Sequence, residues 1–193
     1  MSNSDENNKP WTTRAWAALD YYVGTALSPK EVKSLESHVS ENPDDLTCRV
    51  VLLGAYREDA RDPKHKNYGK AFEHLLWLIY HHPGHDEHEE IGDFWNGCSM
   101  LWQLALDEES PRKKVPWRAL QKDYAVIDSH WRDALKNHPG DLSVLKNAAA
   151  FFRYSAPAIA DELYKEIEIQ EPNSAFVRRE LARRNGDDDW WKI

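Results

Sequence analysis

The sequence predicts an all-α chain built from repeated helix pairs, and three observations carry that expectation. Glycine occurs only 8 times in 193 residues, and the alternation of polar and apolar residues that marks a strand is scarce, while Ala, Leu, Glu and Lys fill the long periodic segments. A helix, a short Pro-containing turn and a second helix recur four times. Hydrophobic residues make up 41% of the chain and charged residues 30%. That is a globular balance, unlike disorder, in a chain of one-domain length able to bury a continuous core.

Taken in order, residues 1–10 are polar and read as a flexible N-terminus. Helices follow at 12–26 and 29–41. Asn42-Pro43-Asp44-Asp45 then breaks the chain, because Pro cannot continue a helix and Asp accepts the exposed amide hydrogens of the next one. The second pair occupies 45–60 and 67–82, with a small insertion around Arg61 to Asn67, and ends at His82-Pro83-Gly84-His85. Helices at 87–107 and 117–138 are longer and flank a charged, Pro-bounded loop at 108–116. The third turn is His138-Pro139-Gly140-Asp141. Helices at 141–154 and 157–171 end at Glu171-Pro172-Asn173-Ser174, and a closing helix covers 173–185. The helical repeat domain therefore spans 11–185. Residues 186–193 form an acidic tail ending Trp190-Trp191-Lys192-Ile193, which either folds back over exposed apolar surface or offers a motif to a partner.

Upstream of each turn proline the spacing is constant. Residues twelve, eight and five positions before it are Glu31, Leu35 and His38; Ala71, Leu75 and Leu78; Ile127, Trp131 and Ala134; and Ala160, Tyr164 and Ile167. Steps of four and three place each trio on one helix face, the face expected to pack on a neighbouring helix.

Tyr68, Ala71, Leu75, Leu78 and Pro83 follow the pattern A-x3-F-x2-A-x4-P closely, as do Ala160, Tyr164, Ile167 and Pro172. Leu53-Gly54, Asn147-Ala148 with Phe151, and Leu181-Ala182 match the companion first-helix signature in part. On these residues the chain resembles the tetratricopeptide family or a related paired-helix repeat. The resemblance implies a right-handed α-α superhelix, a solenoid of about four helix pairs plus a closing helix. The turn prolines lie 40, 56 and 33 residues apart, against a family period of about 34, so the array is expected to be irregular where the insertion and the long loop fall.

In that family the first helices line a concave groove. Carrying the register over from Leu19, Gly54, Cys98 and Ala148 puts Trp16 and Asp20, Val51 and Ala55, Trp95, Ser99 and Trp102, and Leu145, Ala149, Phe152 and Arg153 on the groove side. The implied ligand of so aromatic a surface is an apolar peptide or helix of another protein. An equal alternative is that the Trp residues thicken the core between long helices. Trp95 and Trp102, seven apart on one face, are the better candidates for contact. The family's carboxylate clamp is missing, since Lys146 and Asn147 are adjacent instead of one turn apart.

His81, His82, His85 and His88 lie among Asp86, Glu89 and Glu90, and imidazole with carboxylate at this density can bind zinc, nickel or copper. The run contains no thiolate and no H-E-x-x-H, however, so a solvated turn leading into an acidic helix start is the expectation, with metal binding the alternative. No nucleophile motif, phosphate-binding Gly loop or Cys-His pairing is visible, so neither a catalytic residue nor a cofactor is expected. Cys48 and Cys98 fall inside apolar helical stretches and read as buried thiols in a reducing compartment.

A formal net charge of -8 argues against nucleic acid as a partner and favours basic or neutral ones. The Arg178, Arg179, Arg183 and Arg184 stripe sits near a helix C-terminus, where positive charge suits the helix dipole. Neither an export signal nor a bilayer-spanning stretch is apparent, so the expected location is the cytoplasm, away from membranes. Self-association through the ends of the array is the third alternative, after partner binding and metal binding.

Overall fold

The structure, a computed structural model, describes residues 24–56, 65–84 and 117–185. Among these residues every regular element is a helix: α1 (Pro29–Glu41), α2 (Leu46–Ala55), α3 (Tyr68–His81), α4 (Trp117–Asn137), α5 (Leu142–Ser155), α6 (Pro157–Gln170) and α7 (Ala175–Arg184). The chain divides into two compact units, Met1–Leu78 and Ile79–Ile193.

In the first unit, α1 starts at a reciprocal cap. The Ser28 hydroxyl accepts from the Glu31 amide while the Glu31 carboxylate accepts from the Ser28 amide at 2.8 Å, and Pro29 fills the first helical position, where its missing N–H costs nothing. Leu35 and Val39 are buried on α1, which packs against α2. Every residue from Cys48 to Gly54 is buried, so α2 lies within the packing instead of at its edge. Gly24 explains part of that closeness. A Cβ placed there would lie 1.9 Å from the Val51 carbonyl oxygen, a distance no side chain tolerates, so the backbones meet at a glycine.

In the second unit α5 is the central element, packing against α4, α6 and α7. Its Phe151 stacks on Tyr124 of α4 with ring centroids 5.5 Å apart and leans on Trp131 at 6.4 Å. Trp131 is fully buried. Asp141 caps α5 by accepting from the Ser143 and Val144 amides at 3.0 and 3.1 Å, and the Asn147 side chain donates to the Pro83 carbonyl at 2.8 Å.

The Pro turns are built alike. The residue before each proline is driven out of helical conformation by the ring that follows; Asn42 and Glu171 both have φ −128°. Its amide still closes the helix, donating to the residue five before the proline: Asn42 to His38, His138 to Ala134, Glu171 to Ile167. The Asp45 and Asp141 amides then donate back to Asn42 and His138. Gly140 has φ 75°, so the third turn has the type II form with Pro and Gly at its centre. Asn173 takes the equivalent place in the fourth turn, with φ 63°, in keeping with the tolerance of Asn for the left-handed region.

Candidate functional site

The register of the turns accounts for what is buried. Ala71, Leu75 and Leu78, Ile127, Trp131 and Ala134, and Ala160, Tyr164 and Ile167 are all buried. In the first repeat only Leu35 of the trio is buried; Glu31 is exposed as the partner in the Ser28 cap and His38 is half-buried.

Of the residues assigned to a groove face, Val51, Ala55, Leu145, Ala149, Phe152 and Arg153 are described, and all but the half-buried Ala55 are buried. Val51 lies in the stretch of α2 that is buried throughout. Leu145 and Phe152 belong to α5, which has neighbours in α4, α6 and α7, and Phe152 meets Phe151 edge-on at 5.0 Å. The Arg153 guanidinium pairs with the Glu180 carboxylate of α7, with the two side chains 4% and 3% exposed. These four side chains are packed inside their own units. Trp16, Asp20, Trp95, Ser99 and Trp102 lie outside the described residues, as do His85, His88, the loop at 108–116, the N-terminal ten residues and the tail at 186–193. His81 is exposed at the end of α3, its ring edge-on to Tyr80 at 4.8 Å, and His82 is half-buried. Lys146 is paired with Glu171 at 2.6 Å; with Asn147 held on Pro83, both residues adjacent at the missing clamp are engaged in the fold.

A polar network in the first unit was not foreseen. Arg49 of α2, only 7% exposed, donates through Nε to the Pro43 carbonyl at 2.7 Å and through Nη1 to His74 Nδ1 at 3.2 Å. Its guanidinium also lies 4.3 Å from the Trp77 ring centroid, a favourable stacking of cation on aromatic face. A guanidinium has no acceptor, so His74 Nδ1 must be the unprotonated nitrogen and the ring is neutral. Burial, followed by the neighbouring Arg49 charge, pushes the His74 pKa down to about 4. Tyr56 stacks on His74 with centroids 6.0 Å apart and donates its hydroxyl to Glu36, which also takes a hydrogen bond from Lys70. The Lys70 bond, then the Tyr56 bond, hold the Glu36 carboxyl below its ordinary range. Three helices and the first Pro turn are thereby tied by two sets of polar contacts that the Tyr56–His74 stack joins.

This network has no local signature, because its members come from α1, α2 and α3 and the Glu36 to Lys70 bond spans 34 positions. The only hint was an Arg and a His placed within apolar runs. Comparison with protein-family models, with curated proteins and with solved structures finds no match for this chain.

Proposed function

We propose that the chain is a non-catalytic binding module, an adaptor, assembly factor or chaperone that holds another protein or peptide on the concave face of a right-handed tetratricopeptide-like superhelix in the cytoplasm. The observation that carries the reading is the repeat register. Three of the four trios before a turn proline are buried throughout, and three of the turns close the preceding helix with the same backbone hydrogen bond. A chain that repeats one helix-pair unit builds an extended surface out of modest segments, and such surfaces suit extended or helical ligands. No helix among the described residues is long and apolar enough to cross a membrane. The net charge of -8 favours a basic client.

Trp95, Ser99 and Trp102, with Trp16 and Asp20, are the proposed contact residues. Val51, Leu145, Phe152 and Arg153, each buried within its own unit, are assigned to the scaffold instead of to contact. The test is affinity capture of the tagged full-length chain from its native extract, compared with a Trp95→Ala, Trp102→Ala double variant of unchanged helicity. Loss of one enriched client in the variant supports the reading, and equal capture by both chains removes these residues from the site.

A further inference from the structure

The first Pro turn carries side chains that its counterpart in the second unit does not. At the third turn the residue five before the proline is Ala134, the helix cap is Asp141, and the residue five after the proline is Val144; Ala134 and Val144 are buried and apolar. At the first turn the same three places hold His38, Asp45 and Cys48. The cap itself needs only the aspartate, as Asp141 shows, so His38 and Cys48 are additions to a turn that closes without them. Their donor atoms converge: His38 Nε2 is 3.1 Å from Asp45 Oδ2, the Cys48 thiol hydrogen bonds the Asp45 carboxylate, and one donor from each of the three lies within 4.8 Å of the others.

We propose that His38, Asp45 and Cys48 form a binding site for a zinc-class divalent cation that pins the end of α1 to the start of α2. Imidazole, carboxylate and thiolate together are the donor set of a borderline-soft metal, not of calcium or magnesium. Metal–ligand bonds of about 2.0–2.3 Å at tetrahedral angles separate donors by about 3.5 Å, so side-chain rotations closing roughly 1 Å complete the site. Asp45 Oδ1 is held by the Cys48 amide at 2.9 Å, which leaves Oδ2 as the ligand atom and supplies the orienting backbone contact that such ligands use. On binding, the Cys48 S–H bond breaks and its proton passes to solvent. Thiolate and carboxylate then balance the two positive charges of the cation, and His38 binds neutral. Cys48 is fully buried whereas the His38 and Asp45 side chains are 33% and 27% exposed, so the fourth position opens on the solvent side and takes a water.

The experiment is cobalt(II) titration of the chelator-treated, full-length chain under a non-thiol reductant. The expected result is one near-ultraviolet thiolate-to-cobalt charge-transfer band that saturates at one equivalent, is absent in Cys48→Ser and persists in Cys98→Ser. His38→Gln is expected to weaken uptake by more than about tenfold. X-ray absorption at the zinc edge of the unsubstituted chain needs no variant, and one sulfur with nitrogen and oxygen neighbours is expected. Absence of the band, its survival in Cys48→Ser, or a zinc shell of nitrogen and oxygen alone overturns the proposal.

Discussion

Acidification should destabilise the first unit through His74, and most of the effect should disappear in His74→Gln. The ring is 8% exposed and accepts from Arg49 at Nδ1, so a proton there breaks the bond and sets two cations side by side. Its pKa falls from 6.5 to about 4. Above pH 6.5 both folded and unfolded chains hold a neutral ring, and His74 adds no pH dependence. Between those two values the unfolded chain takes a proton that the folded chain refuses, so stability falls as the pH falls. Each unit is worth about 1.4 kcal/mol, so acidification over the two units between pH ~6.5 and ~4.5 should remove roughly 2–3 kcal/mol. Glu36 adds a loss of the same sign only at lower pH, since its pKa lies below the ordinary 4.5. A loss of this size is a large part of the roughly 5–15 kcal/mol that holds a typical domain folded. Urea unfolding as a function of pH measures it, and native-state hydrogen exchange at α2 and α3 amides assigns it to the unit that contains His74. Gln can accept from Arg49 in place of the imidazole without titrating, so the variant should be nearly flat over this window. An equal slope in both proteins, or His74 ring resonances titrating near pH 6.5, would refute the reasoning.

In the second unit, Arg153→Met or Glu180→Gln alone should cost about 3–5 kcal/mol in urea unfolding, because each leaves a buried polar group or charge without its partner; Arg153→Met with Glu180→Leu should recover most of the loss. Single-variant costs under about 1 kcal/mol would show that the pair is hydrated in solution. Gly24→Ala should destabilise by about 1–3 kcal/mol, since its Cβ meets backbone at 1.9 Å. Gly69→Ala, with nothing within 4 Å of the added atom, should be neutral or stabilise by up to about 1 kcal/mol. Thermal unfolding of the two variants side by side checks the contrast, and a shared sign would contradict the close approach at Gly24.

What could be read from the sequence was what short-range physics decides. Pro43, Pro139 and Pro172 stop helices locally, Asp45 and Asp141 cap them locally, and a three-and-four spacing selects one face; the helices beside those prolines therefore start and stop there where the spacing puts them, although α2, expected to run to 60, ends at Ala55. Burial on a second face is decided elsewhere. The register carried over from the family resemblance puts Leu145, Phe152 and Arg153 on one face of α5, but a register cannot count how many neighbours a helix acquires, and α5 acquires three. The polar partners were hidden for the same reason. Arg153 meets Glu180 across 27 positions and Arg49 meets His74 across 25, and no local pattern encodes either distance.

The candidate metal site shows where sequence-based inference failed at short range as well. His38 and Cys48 are ten positions apart, within reach of a spacing argument, yet they belong to two helices whose periodicities do not run on into each other. Only the turn between them relates them. Once Pro43 and Asp45 define that turn, the places five before and five after the proline come together in His38 and Cys48; the matching places around Pro139 hold Ala134 and Val144, both buried. The backbone repeat therefore leaves those two side chains open to carry chemistry without cost to the turn. Where helices, caps and turns share one register, a position that departs from the buried apolar pattern is the informative one. His38 is such a departure: it stands where the other three trios have Leu78, Ala134 and Ile167, all of them buried and apolar.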